Sequence, residues 1–153
     1  WAAFTLGHDN DTVDSILETA QFAEENKFCF AAYNILMPYP GTHLYDRLAA
    51  EGRLLYDGKW WLHPDYRFNM AAYVPKNMTP DELSEAVWRC RARWNSFGSI
   101  AKRVWDFKTH LSSLYRLGTY LVYNRLYASE TFTKQGMYFG EHADSVQPPF
   151  AAH

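Results

Sequence analysis

The sequence predicts an α/β fold in which two parallel strands, each followed by a helix, precede a helical extension. Strand-like and helix-like patterns alternate twice within residues 1–52, an order typical of a strand–helix–strand crossover. The segment 28–37 is almost continuously apolar, as expected of a parallel strand covered on both faces. With 153 residues and a net charge of −2, the chain is long enough for one globular domain.

The first strand and helix are indicated by a change of period. Residues 1–6 are apolar and β-capable, and residues 7–11 have the composition of a turn. From Thr12 the apolar positions follow 3.6-residue spacing, which predicts a helix to about Asn26, with Asp11 or Thr12 as its capping residue. Two strands cannot cover the faces and edges of segment 28–37, so we expect the remaining strands to lie outside this chain.

The second strand ends at two prolines. Pro38 and Pro40 cannot continue a hydrogen-bonded ladder, and Gly41 permits a tight turn or the close approach of a ligand. Thr42 then caps a helix that Gly52 ends. This composition predicts a shaped loop at the carboxyl edge of the sheet.

The rest of the chain is predicted to be mainly helical. Thr79 begins a helix with a capping box, and Gly98 ends it. Another segment, SIAKRVWDF, then starts at Ser99. The spacing of apolar residues over 110–127 predicts another helix, which would be apolar around much of its circumference. We therefore expect this helix to be packed on several sides. The predicted divisions are strand–helix units at 1–55, an irregular connection at 56–78 that could instead hold a short hairpin, a helical extension at 79–130 and a loosely ordered tail at 131–153.

Charge and cysteine content restrict the classes of function. Residues 89–103 contain five basic residues and no acidic ones, which we interpret as a solvated helix face rather than a surface for phosphate or a membrane. No nucleic-acid partner is expected. The two cysteines, Cys29 and Cys90, lack metal-binding or disulfide spacing, so we expect reduced thiols and a cytoplasmic protein.

Few residues have the spacing of a catalytic or metal site. The six histidines show no HxxxH or HxH pattern and GxSxG is absent, so we expect neither a metal site nor a nucleophilic triad. Asp9 and Asp11 follow the first strand, where parallel sheets bind ligands, but capping of the next helix is the preferred interpretation. Asn34 is a lone polar residue in an apolar strand and must receive hydrogen bonds from backbone or from a ligand.

Two stretches of the sequence resemble a known family. FTLGHDNDTVDSILETAQFAEENKFCFAAYNILMPYPGTHLYDRLAAEGRL, followed by KNMTPDELSEAVWRCRARW, is similar to the C-terminal part of radical S-adenosylmethionine proteins, particularly those with an N-terminal cobalamin-binding domain. The Gly-x-Asp-x-Asp-Thr turn, the Pro-Tyr-Pro-Gly-Thr-x-Leu-Tyr segment and the Met-Thr-Pro-x-Glu-Leu helix occur in the family's order. The resemblance covers roughly residues 3–105, and the combination is more specific than any one motif.

The resemblance implies a fold, a cofactor pocket and partners. The chain would hold the last two βα units of a partial TIM-like barrel, followed by an all-helical extension, with the rest of the barrel and a cobalamin domain as its partners. Gly7 and Asp9 would border the S-adenosylmethionine pocket at the end of the fifth strand, and Asn34, Leu36 and Tyr39 at the end of the sixth. The parent would also hold a [4Fe-4S] cluster and, in this subgroup, cobalamin.

One departure limits what this chain could do alone. The family's CxxxCxxC motif is absent from the sequence, and a [4Fe-4S] cluster requires those thiolates. We therefore expect a fragment that forms one wall of the pocket and is not catalytic by itself. The alternatives are a self-standing α+β module whose aromatic helices over 79–127 bind a protein or a membrane, which an exposed apolar face would favour, and a small hydrolase that uses Asp9 or Asp11 in a closed pocket.

Overall fold

The computed structural model describes residues 1–138, which form two strands and five α-helices. The bounds of these elements are β1 Ala2–Leu6, α1 Val13–Glu25, β2 Ala31–Ile35, α2 His43–Ala50, α3 Pro80–Trp94, α4 Phe97–Val104 and α5 Leu114–Lys134. Single 3₁₀ turns occur at Tyr56–Gly58 and Trp60–Leu62. The predicted order of strands and helices is therefore the observed one, whereas several boundaries differ.

The two strands pair in parallel, and α1 connects them. Their register places Ala2 beside Ala31 and Leu6 beside Ile35. Thr12 caps α1 and its hydroxyl accepts a hydrogen bond from the Ser15 amide, so the helix begins where its capping residue predicts. Both strands are five residues long, so segment 28–37 contributes only its middle part to the sheet.

Helices α1 and α3 cover one face of the strand pair and form the core with it. The buried side chains of this core include Leu6, Ile16, Tyr33, Ile35, Leu83, Val87, Cys90 and Trp94. Phe4 and Tyr33 stack across the strands with ring centroids 5.4 Å apart. The apolar stripe of α3 is therefore the surface that closes the core, as its 3.6-residue spacing indicates.

The opposite face of the strand pair is open among the described residues. Ala3, Thr5 and Asn34 are exposed, although their strand neighbours on the other face are buried or half-buried. The continuous apolar pattern predicts cover on both faces, and the described part of the chain supplies it on one face only. β2 is therefore not enclosed by the elements of this chain that the structure describes.

The boundaries of α3 and α4 differ from the prediction that Gly98 ends a single helix. α3 ends at Trp94 because Asn95 caps it, and the Ser96 side chain accepts a hydrogen bond from the Ser99 amide to begin α4. Gly98 consequently lies inside α4. The break between the two segments therefore lies at the adjacent caps Asn95 and Ser96, three residues before the predicted one at Gly98 and Ser99.

The last helix is displaced from its predicted range of 110–127. Ser113 caps α5, which continues to Lys134 and therefore passes the predicted boundary at residue 130. The predicted packing on several sides is not observed among residues 1–138, where only Tyr120 and Asn124 of α5 are buried. Residues 139–153 of the predicted loose tail lie outside the described residues.

The connection between α2 and α3 is irregular, as predicted, and is anchored by aromatic side chains. A single antiparallel bridge joins Leu54 and Tyr73, and it does not extend into the hairpin named as the alternative. Trp60, Tyr66 and Ala72 form a second small core beneath this segment. Within residues 1–138 none of the helices is long and apolar enough to cross a membrane.

Candidate functional site at the open face of the strand pair

The open face of the strand pair is built from small and polar side chains. The parallel register places Thr5 beside Asn34 and Ala3 beside Ala32. The Asn34 side chain is exposed and makes no hydrogen bond to any residue in the range 1–138. Its carboxamide can therefore bind a ligand or a further protein segment. Of the two predicted sources of its hydrogen bonds, the neighbouring backbone does not supply them within residues 1–138, and a ligand remains as the other source.

The outer edge of β1 lacks a partner strand among the described residues. The Ala2 amide donates to the Phe30 carbonyl at 3.0 Å, and the Leu36 amide donates to the Leu6 carbonyl at 2.8 Å. Because hydrogen-bonding direction alternates along a strand, the peptide groups of Ala3 and Thr5 point away from β2. They make no backbone hydrogen bond within the range 1–138.

The outer edge of β2 is instead capped by an arginine from α3. Arg91 is 7% exposed, and its Nε donates to the Tyr33 carbonyl at 2.7 Å. Its Nη1 donates to Gln135 Oε1 at 3.2 Å, which ties the end of α5 to the same edge. Loss of hydration lowers the pKa of Arg91 to about 10, so it remains charged at neutral pH.

A cavity of about 240 Å³ lies beside this edge. Asn34 and Arg91 both line it, together with Trp94 and Asn124. Asn34, a predicted site residue, and Arg91, a buried cation, therefore line the same cavity. The sequence signals single out Asn34 but not Arg91, since an arginine within an amphipathic helix has the same appearance whether it is buried or solvated.

Gly7 has a structural role in the turn after β1. Its φ is +99°, and a Cβ at this position would lie 2.5 Å from the Tyr73 hydroxyl and 2.8 Å from Leu83 Cδ2. The Gly7 carbonyl accepts a hydrogen bond from the Tyr73 hydroxyl, and its amide donates to Asp11 Oδ2 at 2.7 Å. Both of its backbone polar groups are thus occupied by the protein.

Asp9 is the centre of an ion cluster rather than a free carboxylate. Its oxygens lie 2.5 Å from Arg47, 3.1 Å from Arg53 and 3.2 Å from Lys76. Partial loss of hydration opposes ionisation, but these three hydrogen-bonded cations lower the pKa of Asp9 to about 2. The carboxylate therefore holds α2 and the following loops against the end of β1.

The Asp11 carboxylate is also hydrogen-bonded within the protein, and the predicted capping of α1 by Asp9 and Asp11 is wrong. Asp11 Oδ2 accepts hydrogen bonds from the amides of Gly7 and His8, whereas Thr12 caps the helix. Neither carboxylate is available as a general base. The hydrolase alternative therefore loses its only candidate groups.

Leu36 and Tyr39 diverge from Asn34. Leu36 packs against the main core, and Tyr39 is 58% exposed, with its ring 5.8 Å from that of Trp60. Of the five residues that the resemblance assigns to the pocket, Asn34 thus lies within β2 and the other four follow the strand ends. Only Asn34 lines the 240 Å³ cavity.

The basic stretch 89–103 is only in part the solvated face that its composition predicts, since Arg89, Arg93 and Lys102 are exposed but Arg91 and Arg103 are buried. Arg103 is fully buried, its Nη2 donates to the Trp94 carbonyl at 2.8 Å, and its guanidinium carbon lies 3.5 Å from the centre of the Trp94 ring. Arg93 forms an ion pair with Glu24 at 2.8 Å. Two of the five basic residues, Arg91 and Arg103, therefore satisfy buried carbonyl groups.

Metal-ligating side chains do not cluster in the described part of the chain, where no group of three or more could hold an ion. The Cys90 thiol is buried and 3.4 Å from the Ile16 carbonyl. Burial raises the pKa of Cys90 to about 11, which keeps it a neutral core group.

Comparison with known proteins adds one relative. The chain is similar to the hopanoid C-2 methylase of Rhodopseudomonas palustris (strain TIE-1), with 30% identity over 99 residues. The match covers 64% of this chain and 17% of the methylase, so the chain spans less than a fifth of its relative's length. No family model matches the chain, and no solved structure matches it.

Proposed function

We propose that this chain is the C-terminal part of a radical S-adenosylmethionine enzyme and contributes the last two βα units of its barrel. The observation that carries the proposal is the strand pair, which is helix-covered on one face, open on the other and, within residues 1–138, unpaired at the outer edge of β1. The similarity to a methylase agrees with a family that uses a methyl-bearing sulfonium cofactor.

The open face has the character of a barrel interior. In a βα barrel the helices cover the outside of the sheet and the alternate side chains point inward. Here the inward positions would be Ala3, Thr5, Ala32 and Asn34. Small side chains leave space for a ligand, and the Thr5 hydroxyl and Asn34 carboxamide supply polar contacts for one wall of the cofactor pocket.

The two sheet edges support a terminal position for β2. The outer edge of β1 offers the Ala3 and Thr5 peptide groups to a preceding strand. The outer edge of β2 is capped by Arg91 at the Tyr33 carbonyl. This asymmetry is expected when β2 is the last strand of an open barrel and β1 is the strand before it.

The cluster of such an enzyme would be held outside this chain. Cys90 is enclosed in the core, which leaves Cys29 as the other thiol and too few ligands for a [4Fe-4S] cluster. When bound elsewhere in the parent, that cluster supplies the electron for cleavage of the sulfonium. This chain's own residues would position and enclose the cofactor and the substrate.

The proposal is tested by the sequence upstream of Trp1 and by cofactor binding. We expect a CxxxCxxC motif followed by alternating strands and helices. In the whole natural polypeptide, Asn34→Ala should weaken S-adenosylmethionine binding about tenfold, since one hydrogen bond to the ligand is lost. Asn26→Ala, at the exposed end of α1, serves as the matched control and should leave the affinity unchanged.

Two results would contradict the proposal. A start codon directly before Trp1 would leave no room for the other strands. Equal cofactor affinity of the Asn34→Ala and wild-type polypeptides would remove Asn34 from the pocket.

The self-standing interaction module is the second candidate. The exposed apolar side chains of α5 meet the condition that favours it, including Leu114 at 88% and Tyr115 at 83% exposure. That alternative leaves the open edge of β1 unexplained, because a complete module is expected to pair or cover its edges. A part of a larger enzyme accounts for that edge.

A further inference from the structure

Part of the apolar surface of α5 is directed away from the body of the protein. Tyr120 and Asn124 are the buried residues of this helix. Successive residues are rotated by about 100°, which places Leu114, Tyr115, Val122, Arg125 and Leu126 in the half of the helix away from the buried pair. All five are exposed, and we call this set the outer face of α5. The same half also contains the small or polar residues Gly118, Thr119, Ser129 and Thr133.

The outer face combines alkyl side chains with positive charge. Val122 is 57% exposed and Leu126 59% exposed, and Arg125 lies between them in the sequence. From residue 107 to residue 129 there are three basic side chains, Lys108, Arg116 and Arg125, and no acidic one. A partner must therefore accept apolar surface and provide negative charge close to it.

A bilayer surface with anionic lipids fits both requirements. Alkyl side chains enter the boundary between headgroups and acyl chains, tyrosines occupy the headgroup level and arginines extend to lipid phosphates. The helix is not apolar enough to span a membrane, so it would lie parallel to the surface. We infer that the outer face of α5 binds an anionic membrane surface.

A second copy of the chain fits the outer face less well. Symmetric pairing of two such faces would place Arg125 of both copies in the interface. Within α5 no acidic residue precedes Glu130, so the outer face offers these arginines no carboxylate. Buried guanidinium groups without a carboxylate partner oppose such a contact. Lipid phosphates, in contrast, neutralise the same charges.

Vesicle flotation of the whole natural polypeptide tests this inference. We expect the protein to float with vesicles of phosphatidylcholine mixed with phosphatidylglycerol, and to bind less as salt is added. The double variant Val122→Glu/Leu126→Glu should lower binding at least about tenfold because two alkyl groups that would be buried in the bilayer are replaced by charges. The double variant Arg116→Glu/Arg125→Glu should lower binding to the mixed vesicles and not to pure phosphatidylcholine.

Leu62→Glu provides a matched control. Leu62 is a 71% exposed apolar residue in the connection before α3, and this variant should float like the wild type. Circular dichroism of every variant should match that of the wild type.

Three results would overturn the inference. The first is an absence of flotation with either vesicle type, and the second is an equal loss of binding in Leu62→Glu. The third is a dimer, detected by light scattering, that Val122→Glu/Leu126→Glu dissociates without any change in vesicle binding, since it would assign the face to a second copy. Cofactor binding is measured separately, so failure here leaves the proposed function untouched.

Discussion

Gly7 is a residue whose identity is dictated by contacts from distant parts of the chain. Tyr73 and Leu83 occupy the space where a side chain would begin, and the backbone has a positive φ. A glycine in a turn is predictable from sequence, whereas the enclosure of this particular glycine by residues more than sixty positions away is not.

Gly7→Ala should therefore destabilise the fold more than a glycine replacement in open space. We expect a loss of about 3 kcal/mol in the free energy of unfolding, from backbone strain together with the Tyr73 clash. Gly41 also has a positive φ, of 81°, but a Cβ added there would meet nothing within 4 Å. Gly41→Ala should thus lose only about 1 kcal/mol, and urea titration compares the two. Equal losses would show that the contacts of Gly7 do not matter.

Asp9→Asn should destabilise the protein at neutral pH by about 1 kcal/mol, because Arg47, Arg53 and Lys76 lose the carboxylate that all three contact. The expected loss is small because the cluster is largely hydrated. The folded-state pKa of Asp9, about 2, lies below the ordinary value of 3.8. Its contribution is therefore fully present above about pH 5, decreases below that pH and is lost as the pH falls through the folded pKa.

The measurement is the difference in free energy of unfolding between wild type and Asp9→Asn at a series of pH values. It should be constant from pH 7 to about pH 5 and shrink at lower pH. A difference that does not change down to pH 3 would contradict the assigned ion cluster.

Two arginines decide how the helical elements dock. Arg91 joins α3 to the edge of β2 and to Gln135 after α5. Arg103 joins α4 to the end of α3 and to the carbonyl of Phe28. The helices therefore meet through buried hydrogen bonds to backbone carbonyl groups as well as through apolar packing.

Arg103→Met should loosen the docking of α4 and α5. The variant leaves the carbonyls of Trp94 and Phe28 without their donor, so we expect a loss of about 3 kcal/mol in the free energy of unfolding. Lys102→Met removes an exposed charge from the same helix and should change stability by no more than about 0.5 kcal/mol. Thermal unfolding of both variants gives the comparison, and similar melting temperatures would exclude the role given to Arg103.

At the scale of the whole molecule, the open edge of β1 makes a prediction about the longer polypeptide. If another strand pairs there, the Thr5 amide should be protected from hydrogen exchange in that polypeptide to the same degree as the Phe4 amide, which the observed register directs toward β2. Exchange of Thr5 at the rate of an exposed amide, with Phe4 protected, would show that the edge stays free.

The order and type of the elements could be predicted from this sequence because their signals are local. Thr12, Thr42 and Thr79 each begin a helix, since a capping hydroxyl needs only the amide three residues later. The apolar stripe of α3 likewise has the period that determines which side is buried. Asn34 was identifiable as a polar exception in a strand.

The tertiary structure alone decided which charged and apolar groups are covered. The basic stretch gave no indication that Arg91 and Arg103 are buried, and the periodicity of α5 gave none that its apolar residues are exposed. Burial depends on which distant segment lies opposite a side chain, and composition within one helix does not contain that information. The sequence by itself determined where each strand and helix forms, and the packing of those elements decided that, within residues 1–138, one face and one edge of the strand pair stay open.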